Sequence, residues 1–132
     1  QEPAQAALHS YFNIGDISQI EVQNLPNRCY DSLQGKHTDV PSTRKIEQGV
    51  DCIYALEEDK TFLVDKAFNR RIQITHHHAD SIVLWNPWEK TPSAMKADGY
   101  RNMVCIETAR LEKLLQFGES ISAEISALPA DI

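Results

Sequence analysis

Two ionisable side chains stand in apolar settings where a plain fold would not put them. Glu107 directly follows Met103-Val104-Cys105-Ile106, and His9 lies within Ala6-Ala7-Leu8-His9-Ser10-Tyr11-Phe12. A carboxylate at the end of a buried strand and an imidazole in an apolar stretch are groups whose proton affinity the surroundings can tune. Together they would make a general base and a general acid. Asp51, in Gly49-Val50-Asp51-Cys52-Ile53-Tyr54, sits at a strand start. Each has a structural reading too: His9 as a hydrogen-bonded core histidine, Glu107 as a strand-end carboxylate reaching solvent, Asp51 as a turn residue. Spacing along the chain does not by itself bring the three together.

Other reactive residue types carry weaker signals. His76 and His78 of the run His76-His77-His78 would share one face of a continuing strand and could chelate a metal. A solvated turn is the simpler reading. Trp85 and Trp88, around Asn86-Pro87, could offer a ring for stacking on a sugar, with core packing accounting for at least one of them. Cys29, Cys52 and Cys105 are odd in number, far apart and without CxxC spacing, so they read as reduced, buried small hydrophobes of a cytoplasmic chain. There is no Gly-rich loop before Lys-Ser or Lys-Thr, no GxGxxG, no HExxH and no GxSxG. Neither a nucleotide cofactor nor a metal is expected.

These residues need a scaffold. A length of 132 residues suffices for one domain, 1–132, with a core of its own, though it is short for an enzyme that must also enclose a substrate. Lys and Arg number 13 against 19 Asp and Glu, a net charge of -6, and no dense basic run exists to neutralise phosphates, so nucleic acid is not an expected partner. No stretch approaches the ~20 apolar residues of a membrane span. The opening QEPAQAALHS lacks the basic start and apolar centre of a signal peptide, so no membrane association or export is expected.

Gly, Pro, Asn and Asp divide the chain into short segments whose apolar residues alternate, the period of half-buried strands. Residues 17–25 set Ile20 and Val22 against Gln19, Glu21 and Gln23 and stop at Pro26-Asn27. Residues 60–65, 69–75, 81–85, the stretch around Val104 and Ile106, and 120–128 repeat the pattern, so the chain reads as all-β. Residues 34–43 and 88–100 are expected loops, and 76–80 a loop leading into a strand. Residues 108–116 dissent, because Leu111, Leu114 and Leu115 fall at helical spacing and predict a short helix.

The string Ala7-Leu8-His9-Ser10-Tyr11-Phe12-Asn13-Ile14-Gly15-Asp16-Ile17 resembles the catalytic-histidine segment of bacterial hexose-6-phosphate mutarotases, also called glucose-6-phosphate 1-epimerases, of the aldose 1-epimerase superfamily. Trp85-Asn86-Pro87-Trp88-Glu89-Lys90, Asp98-Gly99-Tyr100 and Met103-Val104-Cys105-Ile106-Glu107-Thr108-Ala109-Arg110 resemble later blocks in the family's order. The resemblance covers nearly the whole chain from His9 onward. It implies an antiparallel β-sandwich, the C-terminal part of a galactose mutarotase-like fold whose family members carry further strands ahead of it. It also implies a cofactor-free interconversion of the α and β anomers of hexose 6-phosphates. In that reaction His9 would be the acid on the ring oxygen, Glu107 the base on the anomeric hydroxyl, and Asp51 a hydrogen-bonding partner of the sugar. The arginines that hold the phosphate come mainly from the family's N-terminal half, which has no counterpart here.

Where the family reads Asp-Arg-x-Tyr, this chain has Asp51-Cys52-Ile53-Tyr54, which removes a fork of donors and a fixed charge next to Asp51. For residues 108–116 the resemblance implies an irregular run out of the catalytic strand in place of the helix. Two other functions fit the same fold: mutarotation of unphosphorylated aldoses, and carbohydrate binding without turnover. A chain of this length alone would expose sheet edges and apolar surface, so a homodimer through those edges is expected.

Overall fold

The computed structural model describes residues 2–129. Its strands are β1 (Ala4–Leu8), β2 (Tyr11–Asn13), β3 (Ile20–Gln23), β4 (Arg28–Asp31), β5 (Lys36–Asp39), β6 (Val50–Ala55), β7 (Lys60–Asp65), β8 (Arg70–His77), β9 (Ser81–Asn86), β10 (Met103–Leu115) and β11 (Ser122–Leu128). They form two antiparallel sheets, the larger in the order β1-β10-β9-β6-β4-β5 and the smaller in the order β11-β8-β7-β3. Strand β2 pairs with β10 on the edge that β1 also uses. Among the described residues no helix is long and apolar enough to cross a membrane.

Alternation places the core. Val50, Cys52 and Tyr54 of β6, Ile82 and Leu84 of β9, and Val104 and Ile106 of β10 point inward from the larger sheet, against Ile20 and Val22 of β3, Leu63 of β7 and Ile72 and Ile74 of β8. Each such aliphatic side chain contributes about 1.5–3 kcal/mol by leaving water. The inner faces therefore stabilise the sandwich, while the intervening residues on the larger sheet, including Asp51, Trp85 and Glu107, are left to its outer face. At β11, the edge of the smaller sheet, Ile125 pairs with Ile74 yet is 53% exposed.

Four expectations are corrected. Residues 17–25 open with a 3₁₀ turn over Ile17–Gln19 before β3 begins, because the Asp16 carboxylate accepts from the Ser18 amide at 2.9 Å and caps it. Residues 34–43 are not all loop: β5 pairs with β4 across a tight turn in which Gly35 takes φ +71°. That strand lies at a sheet edge with no buried face, so it shows no apolar alternation.

The expected turn at 76–80 starts late. His76 and His77 belong to β8, and His78, at φ +58°, ends it. His76 is 2% exposed and lies between Thr61 Oγ1 (2.9 Å from Nε2) and Thr108 Oγ1 (2.7 Å from Nδ1), a core histidine tying β7 and β8 to β10. Finally, residues 108–116 form no helix: β10 continues to Leu115, and its run is irregular as the resemblance implies. Between Ala6↔Arg110 and Ala4↔Leu115 the register shifts, and the amides of Leu111, Glu112 and Lys113 donate to the Asp80 carboxylate at 2.9, 3.2 and 2.7 Å. The bulge interrupts the two-residue period, which is why the leucines mimic helical spacing.

Candidate active site

The pairing of β10 with its edge partners opens at one point. The register is the same on both sides, Leu8↔Thr108 in β1 and Tyr11↔Cys105 in β2, so His9 stands opposite Glu107. The Ser10 amide turns back to the Leu8 carbonyl at 3.0 Å, while the Ile106 amide still donates to the Ser10 carbonyl at 3.1 Å. His9 and Glu107 thus occupy a non-hydrogen-bonded position of the ladder, where opposing Cα atoms come within ~4.5 Å and side chains are closest. His9 Nε2 lies 3.3 Å from Glu107 Oε1, with the His9 side chain 64% exposed and that of Glu107 13%. Neither isolated structural reading describes them: His9 is an exposed edge residue, and Glu107 is held against it.

The next row of the same outer face runs from Tyr11 through Cys105 and Trp85 to Asp51, each opposite the next across β2, β10, β9 and β6. The Tyr11 and Trp85 rings meet edge to face at 6.0 Å, closing over the strand between them, and Cys105 beneath is wholly buried. Burial raises the Tyr11 phenol above its ordinary value, with the nearby Cys105 and Glu107 adding to it. Cys105 Sγ lies 3.5 Å from Glu107 Oε2. Burial and then the Asp31 charge raise the Asp51 carboxyl. Asp51 lies two strands from Glu107, ~10 Å across the sheet, a separation that suits the two ends of a sugar ring with its hydroxyls.

Asp51 and Trp85 also line a groove of about 700 Å³ with Asp31, Gln48, Trp88 and Lys90. The groove occupies the Asp51 end of the face, and the His9–Glu107 pair stands beyond Trp85. Asn86 holds the groove's loop: its Nδ2 donates to the carbonyls of Tyr100 (2.9 Å) and Met103 (3.0 Å), and its Oδ1 accepts from the Trp88 amide (2.7 Å). The two tryptophans separate, Trp85 to the outer face and Trp88 against Tyr100 with ring centroids 4.9 Å apart.

The family's missing arginine has a local answer. Position 52 points inward, away from Asp51, and there Arg44 Nη1 donates to Tyr54 Oη at 2.8 Å and lies 4.0 Å from Cys52 Sγ. Arg44 reaches this place because its backbone bridges to Val22 of the smaller sheet. A guanidinium therefore occupies the interior behind Asp51 although residue 52 does not supply it. Tyr11 and Cys105, which sequence reasoning missed, had a usable signal: each lies two residues from a singled-out member of the pair, the spacing of a shared strand face. Arg44 had none, because its contacts are made across the sandwich.

A family model described as aldose 1-epimerase matches residues 1–127. A Haemophilus influenzae protein bearing the provisional name glucose-6-phosphate 1-epimerase is 56% identical over 126 residues, which is 96% of this chain and 46% of that protein. The crystal structure of HI1317 superimposes with a TM-score of 0.95 at 55% identity, covering 97% of this chain and 48% of that one. The crystal structure of a provisionally named mutarotase from Salmonella typhimurium does so with a TM-score of 0.88 at 28% identity, covering 97% and 46%. The chain spans less than half the length of the curated relatives it matches. A family match over nearly every residue, on the antiparallel sandwich of its structural neighbours, establishes that this chain belongs to the aldose 1-epimerase family.

Proposed function

We propose that this chain carries the acid and base of a mutarotase acting on hexose 6-phosphates. Glu107 takes the proton of the C1 hydroxyl as the bond from C1 to the ring oxygen breaks, and protonated His9 gives its proton to that oxygen. The open aldehyde turns about the bond between C1 and C2. Closure on the other face then reverses both transfers, returning a proton to His9 and one from Glu107 to the new anomeric hydroxyl. Asp51 accepts a hydrogen bond from a sugar hydroxyl at the far end of the row, and Trp85 with Tyr11 offers an aromatic surface between them. The observation that carries the reading is the 3.3 Å contact of His9 Nε2 with Glu107 Oε1 on the outer face that also bears Asp51. The relatives' names supply the phosphorylated substrate.

One observation favours a second substrate class. Among the described residues lining the groove, Asp31, Asp51 and Glu89 outnumber Lys90, so the groove favours uncharged sugar hydroxyls over a phosphate. Magnetisation-transfer NMR of anomer exchange tests both, using glucose 6-phosphate and glucose with the chain in a polypeptide of its relatives' length. Glu107→Gln keeps the shape and removes the base, His9→Asn removes the acid, and each lowers exchange by about 10²–10⁴. Near-normal exchange in Glu107→Gln refutes the assignment, and acceleration of glucose alone moves the substrate to free aldoses.

A further inference from the structure

Among the described residues, each oxygen of the Glu107 carboxylate has one partner, His9 Nε2 on Oε1 at 3.3 Å and Cys105 Sγ on Oε2 at 3.5 Å. The thiol lies two residues back on the same face of β10 and is fully buried under Tyr11 and Trp85. Its distance suits an S–H···O bond, and of a protonated thiol and a carboxylate the thiol is the one that donates. We propose that Cys105 is a positioning residue for Glu107, its thiol donating to Oε2 so that the carboxylate plane is fixed and Oε1 is presented toward His9; the proposal rests on Glu107 being the base.

The geometry makes the thiol a donor and not a nucleophile. Burial first, and the Glu107 charge second, push the Cys105 thiol well above its ordinary value, so sulfur keeps its proton where a reactive cysteine would lose it. A carboxylate attached through one donor can rotate about its last bond. With donors on both oxygens, the orientation needed to meet a C1 hydroxyl is set before substrate arrives.

Two measurements test this, and one is independent of turnover. The infrared S–H stretch absent from Cys105→Ala identifies the Cys105 thiol, and that band moves to higher frequency in Glu107→Gln, where the charged acceptor is gone. A band that stays in place refutes the bond whether or not the protein is a mutarotase. In anomer exchange, Cys105→Ala lowers kcat about three- to tenfold, the value of one modest hydrogen bond, with KM within about twofold. Cys105→Ser keeps a donor and restores kcat. An unchanged kcat in Cys105→Ala, or equal losses in the Ala and Ser variants, overturns the positioning role. If Glu107→Gln stays active, the failure lies instead with the base assignment.

Discussion

His76 allows a worked test of how the two sheets are joined. Its imidazole is 2% exposed and bonded on both nitrogens by threonine hydroxyls. Those hydroxyls can each donate or accept, so a neutral ring is satisfied in either tautomer, whereas an imidazolium brings a buried charge with no carboxylate in contact. Burial pulls its pKa down to about 4 against an ordinary 6.5, with Asp59 opposing and His77 assisting. A histidine that resists protonation in the folded state adds stability that is complete above about pH 6.5 and lost as pH falls through about 4. At 1.36 kcal/mol per pH unit the whole loss is about 3 kcal/mol, of which about 2 kcal/mol has gone by pH 5. Urea unfolding at pH 7 and pH 5, for the wild-type chain and for His76→Gln, reads this directly. The variant is less stable at pH 7 because Gln cannot reproduce both bonds, but it loses about 2 kcal/mol less between the two pH values. Parallel losses refute the buried neutral histidine, since every other titrating group is common to both proteins and cancels.

The Asp80 carboxylate is shaped by opposed effects: burial raises it, but the amides of Lys113 and Leu111 and the Ser81 hydroxyl outweigh burial and hold it below its usual range. Its contribution is therefore present above about pH 4 and lost as pH falls further, so Asp80→Ala costs about 1 kcal/mol at pH 7 in urea unfolding, a difference that closes in acid. At Gly15, a Cβ would stand 2.5 Å from Ala67 Cβ and 3.0 Å from the Phe68 ring. Gly15→Ala should cost about 1–3 kcal/mol by thermal unfolding, and a neutral result would show that the turn after β7 yields freely.

How much of this was legible in the sequence depended on which residues a contact joins. β7 was read to the residue because both its faces alternate cleanly against neighbours. β5 was missed because an edge strand with exposed faces carries no burial pattern, and the end of β10 was misread because a bulge imitates helical spacing. His9 and Glu107 could be named from their apolar settings and from the family's motifs, but only the register of β10 against its edge strands shows that they face each other. Cys105 was passed over because a buried cysteine is ordinarily inert, and its meaning comes from sharing a face with Glu107. The Arg44 contact with Tyr54 joins the two layers and leaves no periodic trace in either segment.

The same alternation that hid some of these contacts divides their consequences. Along β10, Val104, Ile106 and Thr108 turn inward while Cys105 and Glu107 turn outward, so adjacent residues answer to different environments. Thr108 is tied to His76 across the sandwich, and Glu107 to His9 and Cys105 along the outer face. An inner-face change reaches Glu107 only by displacing the strand, which the pairing with β9 from Cys105 to Ala109 resists. His76→Gln should therefore lower stability and its pH dependence while leaving kcat of anomer exchange in place. Cys105→Ala should lower kcat at a smaller cost in stability, because the site it vacates lies beneath two aromatic rings that can settle toward it. If instead His76→Gln lowers kcat as far as Cys105→Ala does, the strand is not a rigid divider, and Glu107 is positioned through the core rather than by its neighbours on the face.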